Sequence, residues 1–146
     1  MAATTPAAFD PKPKQLGLVV DCIAGSAILA GQVVAFNSTG VAYTVQPANG
    51  VTTSGVVGVA LNSQATVGGH VAVAGAGSVI KVCAGSAVVI DAGDLVAADV
   101  STALGCVIAE VDATTHYQVG VALEDFAANG TGYVLLTPPY LVTKGA

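Results

Sequence analysis

Residues 57–61 read VGVAL, and residues 119–123 read VGVAL again, an offset of 62. The flanks keep that offset: Ala65 maps to Ala127, Gly68 to Gly130 and Gly31 to Gly93. Upstream, CIAGSAILAGQVVA (22–35) matches VCAGSAVVIDAGDLVA (82–97), and Ser38-Thr39 matches Ser101-Thr102 one position further apart. A bias toward Ala, Gly and Val weakens each match alone. It does not explain four matched blocks in one order, so the spacing predicts two copies of one unit.

The matched stretch alternates its side chains across two faces, as a strand does. Its central glycine, Gly58 or Gly120, marks a bulge or a place where another backbone comes close. The Ala-Gly pair before Gln32-Val33-Val34, and before Asp94-Leu95-Val96, predicts a turn that opens a strand, with glycine taking the φ > 0 position. Other short Val-rich runs, among them LGLVVDCI, VAYTV, HVAVA, SVIKVC, LGCVIAEV and GYVLLT, are bounded by Gly, Asn, Asp or Ser. No window holds an i, i+3, i+4, i+7 pattern long enough for a helix; ALNSQA and ALEDFAAN have room for one helical turn each. The fold class is therefore all-β. The expectation is a compact barrel or sandwich of two internally repeated β units, residues 16–76 and 77–146, sharing one core. Residues 1–15 carry Pro6, Pro11 and Pro13 and no apolar period, which predicts an extended N-terminal arm.

Composition excludes several roles. The chain has 146 residues, a formal net charge of -5, four lysines and no arginine. A nucleic-acid binder needs a basic stripe against the phosphates, so no nucleic-acid partner is expected. Charged residues are 9% of the chain, against about a quarter in ordinary soluble domains, and none lies between Asp21 and Lys81. A surface so poor in charge implies a cover, and a protein partner fits best. A membrane does not: polar residues and glycines interrupt every apolar run before the roughly 20 residues a spanning helix needs. Residues 1–15 lack the basic start and apolar stretch of a secretory signal, and 5% aromatics without tryptophan is thin for a membrane barrel. Cys22, Cys83 and Cys106 are odd in number and form no CxxC spacing. That argues for three small buried thiols in a reducing compartment rather than a disulfide framework or a zinc site.

No chemistry is legible. His70 and His116 are the only histidines, and the repeat aligns His70 with Tyr133, so the framework does not require it. Asp91, Asp94 and Asp99 lack the dense oxygen spacing and closing glutamate of a calcium loop. Glu124-Asp125 is replaced by Asn62-Ser63 in the first copy. The glycine-rich GAGS (75–78) opens no helix and lacks the lysine of a phosphate loop. No catalytic, metal or cofactor residue is assigned, and the chain is not expected to be an enzyme.

The segment YQVGVALEDFAANGTGYVLLTP (117–138) resembles the capsid cement, or head decoration, proteins of tailed bacteriophages. The likeness rests on Gly120-Val121-Ala122-Leu123, the turn Glu124 to Ala128, then Gly130 or Gly132 and Tyr133-Val134-Leu135-Leu136. The first copy, Gly58-Val59-Ala60-Leu61 to Val71-Ala72-Val73, and the turn Ala92 to Val96 look like it too. The resemblance implies a β-rich body on the outer surface of the virion, made in the host cytoplasm. It implies a trimer that clamps neighbouring major capsid proteins. Phe9, Lys12 and Lys14 of the arm are the expected capsid contacts. The alternative is a small β carrier or ligand-binding module. A carrier presents its lysine on a hairpin tip, whereas Lys81 lies inside SVIKVC.

Overall fold

A computed structural model describes residues 10–36, 41–48, 55–85, 89–98, 107–109, 116–127 and 130–142. Ten strands follow one another: β1 (Val19–Ala24), β2 (Val33–Phe36), β3 (Thr44–Pro47), β4 (Val56–Ala60), β5 (His70–Ala74), β6 (Val79–Cys83), β7 (Leu95–Ala98), β8 (Val107–Ala109), β9 (His116–Ala122) and β10 (Thr131–Val142). The described residues contain no helix, so the all-β reading holds. The described parts of the two stretches with room for a helical turn instead contain bends, at Leu61-Asn62 and Leu123-Glu124. Each is pinned by an antiparallel bridge, Ile28 to Gln64 and Ile90 to Phe126.

The first five strands close a barrel in the order β1-β3-β2-β4-β5. Closure comes from a parallel pairing of β1 with β3, Ile23 opposite Thr44 and Ala24 opposite Val45. The last five form a sheet in the order β6-β10-β9-β7-β8. A single parallel bridge, Ala84 to Val107, brings β6 to β8 where the first barrel has β1 against β3.

The two units share their hydrogen-bond positions. Gly31 N–H donates to Ala60 O, and Gly93 N–H to Ala122 O. Gly25 N–H reaches Val45 O, and Gly85 N–H reaches Val107 O. Gly31 and Gly93 have φ of 89° and 91°, a conformation that costs side-chain-bearing residues energy, so the predicted turn glycines fall where they are needed. The register of β2 on β4 shifts between Val34 and Ala35, and that of β7 on β9 between Val96 and Ala97. The extra residue of each bulge, Val57 or Val119, lies within the VGVAL stretch itself. A methyl group on Gly58 would meet the carbonyl oxygen of Ala74, and one on Gly120 that of Leu135. The repeated glycine is thus required by a close backbone approach in each unit.

Alternation on the strands sorts the core. Cys22, Ala24, Val34, Val45, Ala60, Val71 and Val73 fill the first barrel with Ile28. Val33, Ala35, Val56 and Val59, from the opposite face of β2 and of β4, join Ile80, Val82, Ile90, Val96, Val134 and Leu136 in a second, continuous cluster. The first barrel therefore packs its outer wall against the second unit, and β4 touches β9 and β10 there.

Two expectations need correction. Cys83 is disulfide-bonded, with its partner outside the described residues, while Cys22 is free and buried. An odd count and the lack of CxxC spacing cannot reveal cysteines brought close by the fold. The described part of the arm is not extended throughout: Lys12 has a φ of 39°, and Pro11 to Gln15 dock on β6.

Candidate interaction surface

The arm is held by backbone groups. Lys14 N–H donates to Val79 O at 2.9 Å, Val79 N–H to Gln15 O at 2.9 Å, and Lys81 N–H to Pro11 O at 3.0 Å. Pro11 and Pro13 keep the segment out of helical conformations, which suits a strand added to an edge. Pro11 is buried. Tyr133, on the neighbouring β10, is the anchor: its hydroxyl donates to Lys12 O at 2.9 Å. The ammonium groups of Lys14 and Lys81 lie 4.4 and 5.5 Å from its ring centroid. A cation above an aromatic face is attracted by the ring quadrupole, by about 0.5–1 kcal/mol at an exposed site. The chain then turns at Gly17, whose N–H donates to Ser78 Oγ, and enters β1.

Of the expected capsid contacts, Phe9 lies outside the described residues. Lys12 and Lys14 are exposed on the docked segment, with Lys14 turned toward Tyr133. Nothing in the sequence marked Tyr133 or Ser78 as arm partners, because each lies more than 60 positions from the segment it binds. Lys81 lies within β6, not on a hairpin tip.

The remaining polar groups serve turns and the surface. His70 Nδ1 stands 3.2 Å from Asp21 Oδ2, with both side chains largely exposed. His116 begins β9, and its side chain is outside the described set. Asp94 accepts from Asp91 N–H and Asp125 from Ala92 N–H, so these acids tie down a turn. Burial, and then the nearby Asp21 carboxylate, push the Cys22 thiol above its ordinary range. No group of three His, Cys, Asp or Glu side chains converges among the described residues. A small pocket where β4 meets β9 and β10 is lined by Val33, Val57, Val59, Val119 and Leu136, with Thr137 as its polar side chain. It offers apolar walls and one hydroxyl, not the convergent polar groups that orient a substrate.

What lies open is apolar. Leu16, Leu18, Val19, Val41 and Tyr43 are exposed around the start of β1, and Val67, Val89 and Leu123 elsewhere. No described helix is long and apolar enough to cross a membrane.

The architecture is an all-β fold assembled from two five-stranded units. No protein-family model and no curated protein matches the chain. Among solved structures it is similar to the N base of head fiber gp8.5 from bacteriophage phi29, with a TM-score of 0.59 and 20% identity. The match covers 82% of this chain and 93% of that one. The chain thus shares its fold with a phage head protein.

Proposed function

We propose that this chain is a non-catalytic capsid cement protein. It sits on the outer surface of a phage head as a trimer and stabilises contacts between major capsid proteins. The observation that carries this reading is the fold shared with the phi29 head fiber base. The open apolar side chains and the charge-free interval from Asp21 to Lys81 support it, since they suit a broad protein contact better than a ligand site. We also infer from the matched hydrogen bonds and bulges that the two β units arose by tandem duplication of one. Lys12 and Lys14, with Phe9, contribute from the arm at the edge of the contact.

The test is occupancy on empty, expanded phage heads across a sodium chloride series. Exposed charge pairs are screened beyond about 10 Å at 0.1 M salt, whereas apolar burial at about 25 cal/mol per Å² is insensitive to it. The expected result is stoichiometric binding that persists in high salt. No binding to heads overturns the reading. Release by moderate salt from intact heads overturns its apolar character.

A further inference from the structure

The two units differ at one matched place. The hydrogen bonds align Ala24 with Ala84 and Gly25 with Gly85, so Val19 corresponds to Val79 and Asp21 to Lys81. On β6 the N–H and C=O of Val79 and the N–H of Lys81 are taken up by Pro11 to Gln15. On β1 they are open. Leu18 exchanges both its backbone bonds with the β5 side, donating to Ala76 O and accepting from Gly75 N–H. In an antiparallel ladder the next residues alternate, so the N–H and C=O of Val19 and Asp21 point away from β5. Further along, Ile23 N–H reaches Tyr43 O on the β3 side, as that alternation requires. β3 stops there, and among the described residues nothing continues the ladder past Val19 and Asp21.

The surroundings suit a strand. Leu18, Val19, Val41 and Tyr43 are 60%, 45%, 61% and 60% exposed. An unpaired edge flanked by apolar groups is a template for another chain. The filled edge shows what fits: a segment of about five residues bearing lysine, bridged to the edge at Gln15 and bent at Lys12, whose φ is 39°. At the open edge Asp21 stands where β6 has Lys81, and among the described residues its carboxylate is partnered by His70. A cationic strand is therefore better matched to β1 than to β6.

We propose that the β1 edge at Val19–Asp21 receives an extended, lysine- or arginine-bearing segment of the major capsid protein by strand addition. This rests on the capsid reading above. Pro11 to Gln15 cannot supply the strand without vacating β6, where Tyr133 and four backbone bonds hold them.

The experiment compares Val19→Pro, Asp21→Lys and the unaltered protein for binding to the same empty heads. Proline at 19 removes an outward N–H and leaves the β5 ladder intact; Asp21→Lys leaves the backbone unchanged and reverses the charge. Val19→Pro should weaken binding at least tenfold, and Asp21→Lys several-fold. Amide exchange at Val19 and Asp21 in the unaltered protein should slow on heads. That measurement stands alone if Val19→Pro fails to fold. If the unaltered protein binds while both variants bind equally well and these amides stay unprotected, the edge proposal is wrong and the capsid reading survives. If the unaltered protein does not bind, both fall. Sedimentation of the free protein covers the remaining occupant: self-association abolished by Val19→Pro would assign the edge to a second copy and overturn the capsid strand.

Discussion

The first barrel and the second unit have the same skeleton and different fillings. Three pairs of turn anchors show it. Gln32 Oε1 accepts from Leu29 N–H, and Asp94 Oδ2 from Asp91 N–H. Ser63 Oγ accepts from Ala30 N–H, and Asp125 Oδ1 from Ala92 N–H. Asn62 Oδ1 accepts from Ala72 N–H, and Glu124 Oε1 from Tyr133 N–H, so the counterpart of Tyr133 is Ala72 and not the His70 of the sequence alignment. An amide or hydroxyl serves in the first unit and a carboxylate in the second. The fold constrains these positions to an acceptor of suitable reach, not to a residue type. By contrast Gly58 and Gly120 are the same residue in both units, because a neighbouring backbone leaves no room for a side chain.

That contrast is tested most severely at the glycines. Gly58→Ala and Gly120→Ala should each destabilise by about 3 kcal/mol or more, since the added methyl meets a backbone carbonyl that cannot turn aside. Thermal or urea unfolding measures it, and a tolerated alanine at either site would break the equivalence. The buried isoleucines come next. Ile28→Ala and Ile90→Ala should each cost about 2–5 kcal/mol; both side chains are fully buried. A clear disparity would show that one unit collapses around the cavity more readily than the other.

A smaller asymmetry is the arm. Deleting residues 1–15 should lower stability by about 2 kcal/mol. It removes four backbone bonds to β6 of about 0.5–1.5 kcal/mol each, partly replaced by water, and the Lys14 contact with Tyr133. An unchanged melting temperature would mean that the β6 edge is indifferent to its cover. At the anchors, Gln32→Ala and Asp94→Ala should each cost about 1 kcal/mol, while Gln32→Glu and Asp94→Asn keep the acceptor and most of the stability.

The pH dependence singles out the first barrel through Cys22. Its thiol is raised in the folded state, so the folded protein holds this proton more tightly than the unfolded chain. The resulting stability is complete below the ordinary thiol value of 9.0 and is lost as pH rises above it. Unfolding measured from pH 7 to pH 10 should show that loss, and Cys22→Ala should remove it.

Much of the fold was legible because short motifs recur at a near-constant offset. Period-two runs between glycines gave the strands, and the constant offset paired Gly31 with Gly93 and Gly58 with Gly120. What stayed hidden depends on distance through space. Tyr133 gives no local sign that it anchors Lys12, and no motif marks Cys83 as disulfide-forming. The docking of Pro11–Gln15 on β6 was also hidden, since prolines state that a segment is extended but not where it lies. The open β1 edge emerges only by comparison with its covered counterpart.

The arm also sets an order of events during synthesis. Pro11–Gln15 leave the ribosome about 60 residues before their docking strand at Val79–Cys83. At about 5–20 residues per second, that gap lasts roughly 3–12 s. Every strand of the first barrel is made within it, so that barrel can close while the arm still has nowhere to bind. The arm then fastens a late-made strand to an early-made segment, and the first residues of the chain take their places among the last.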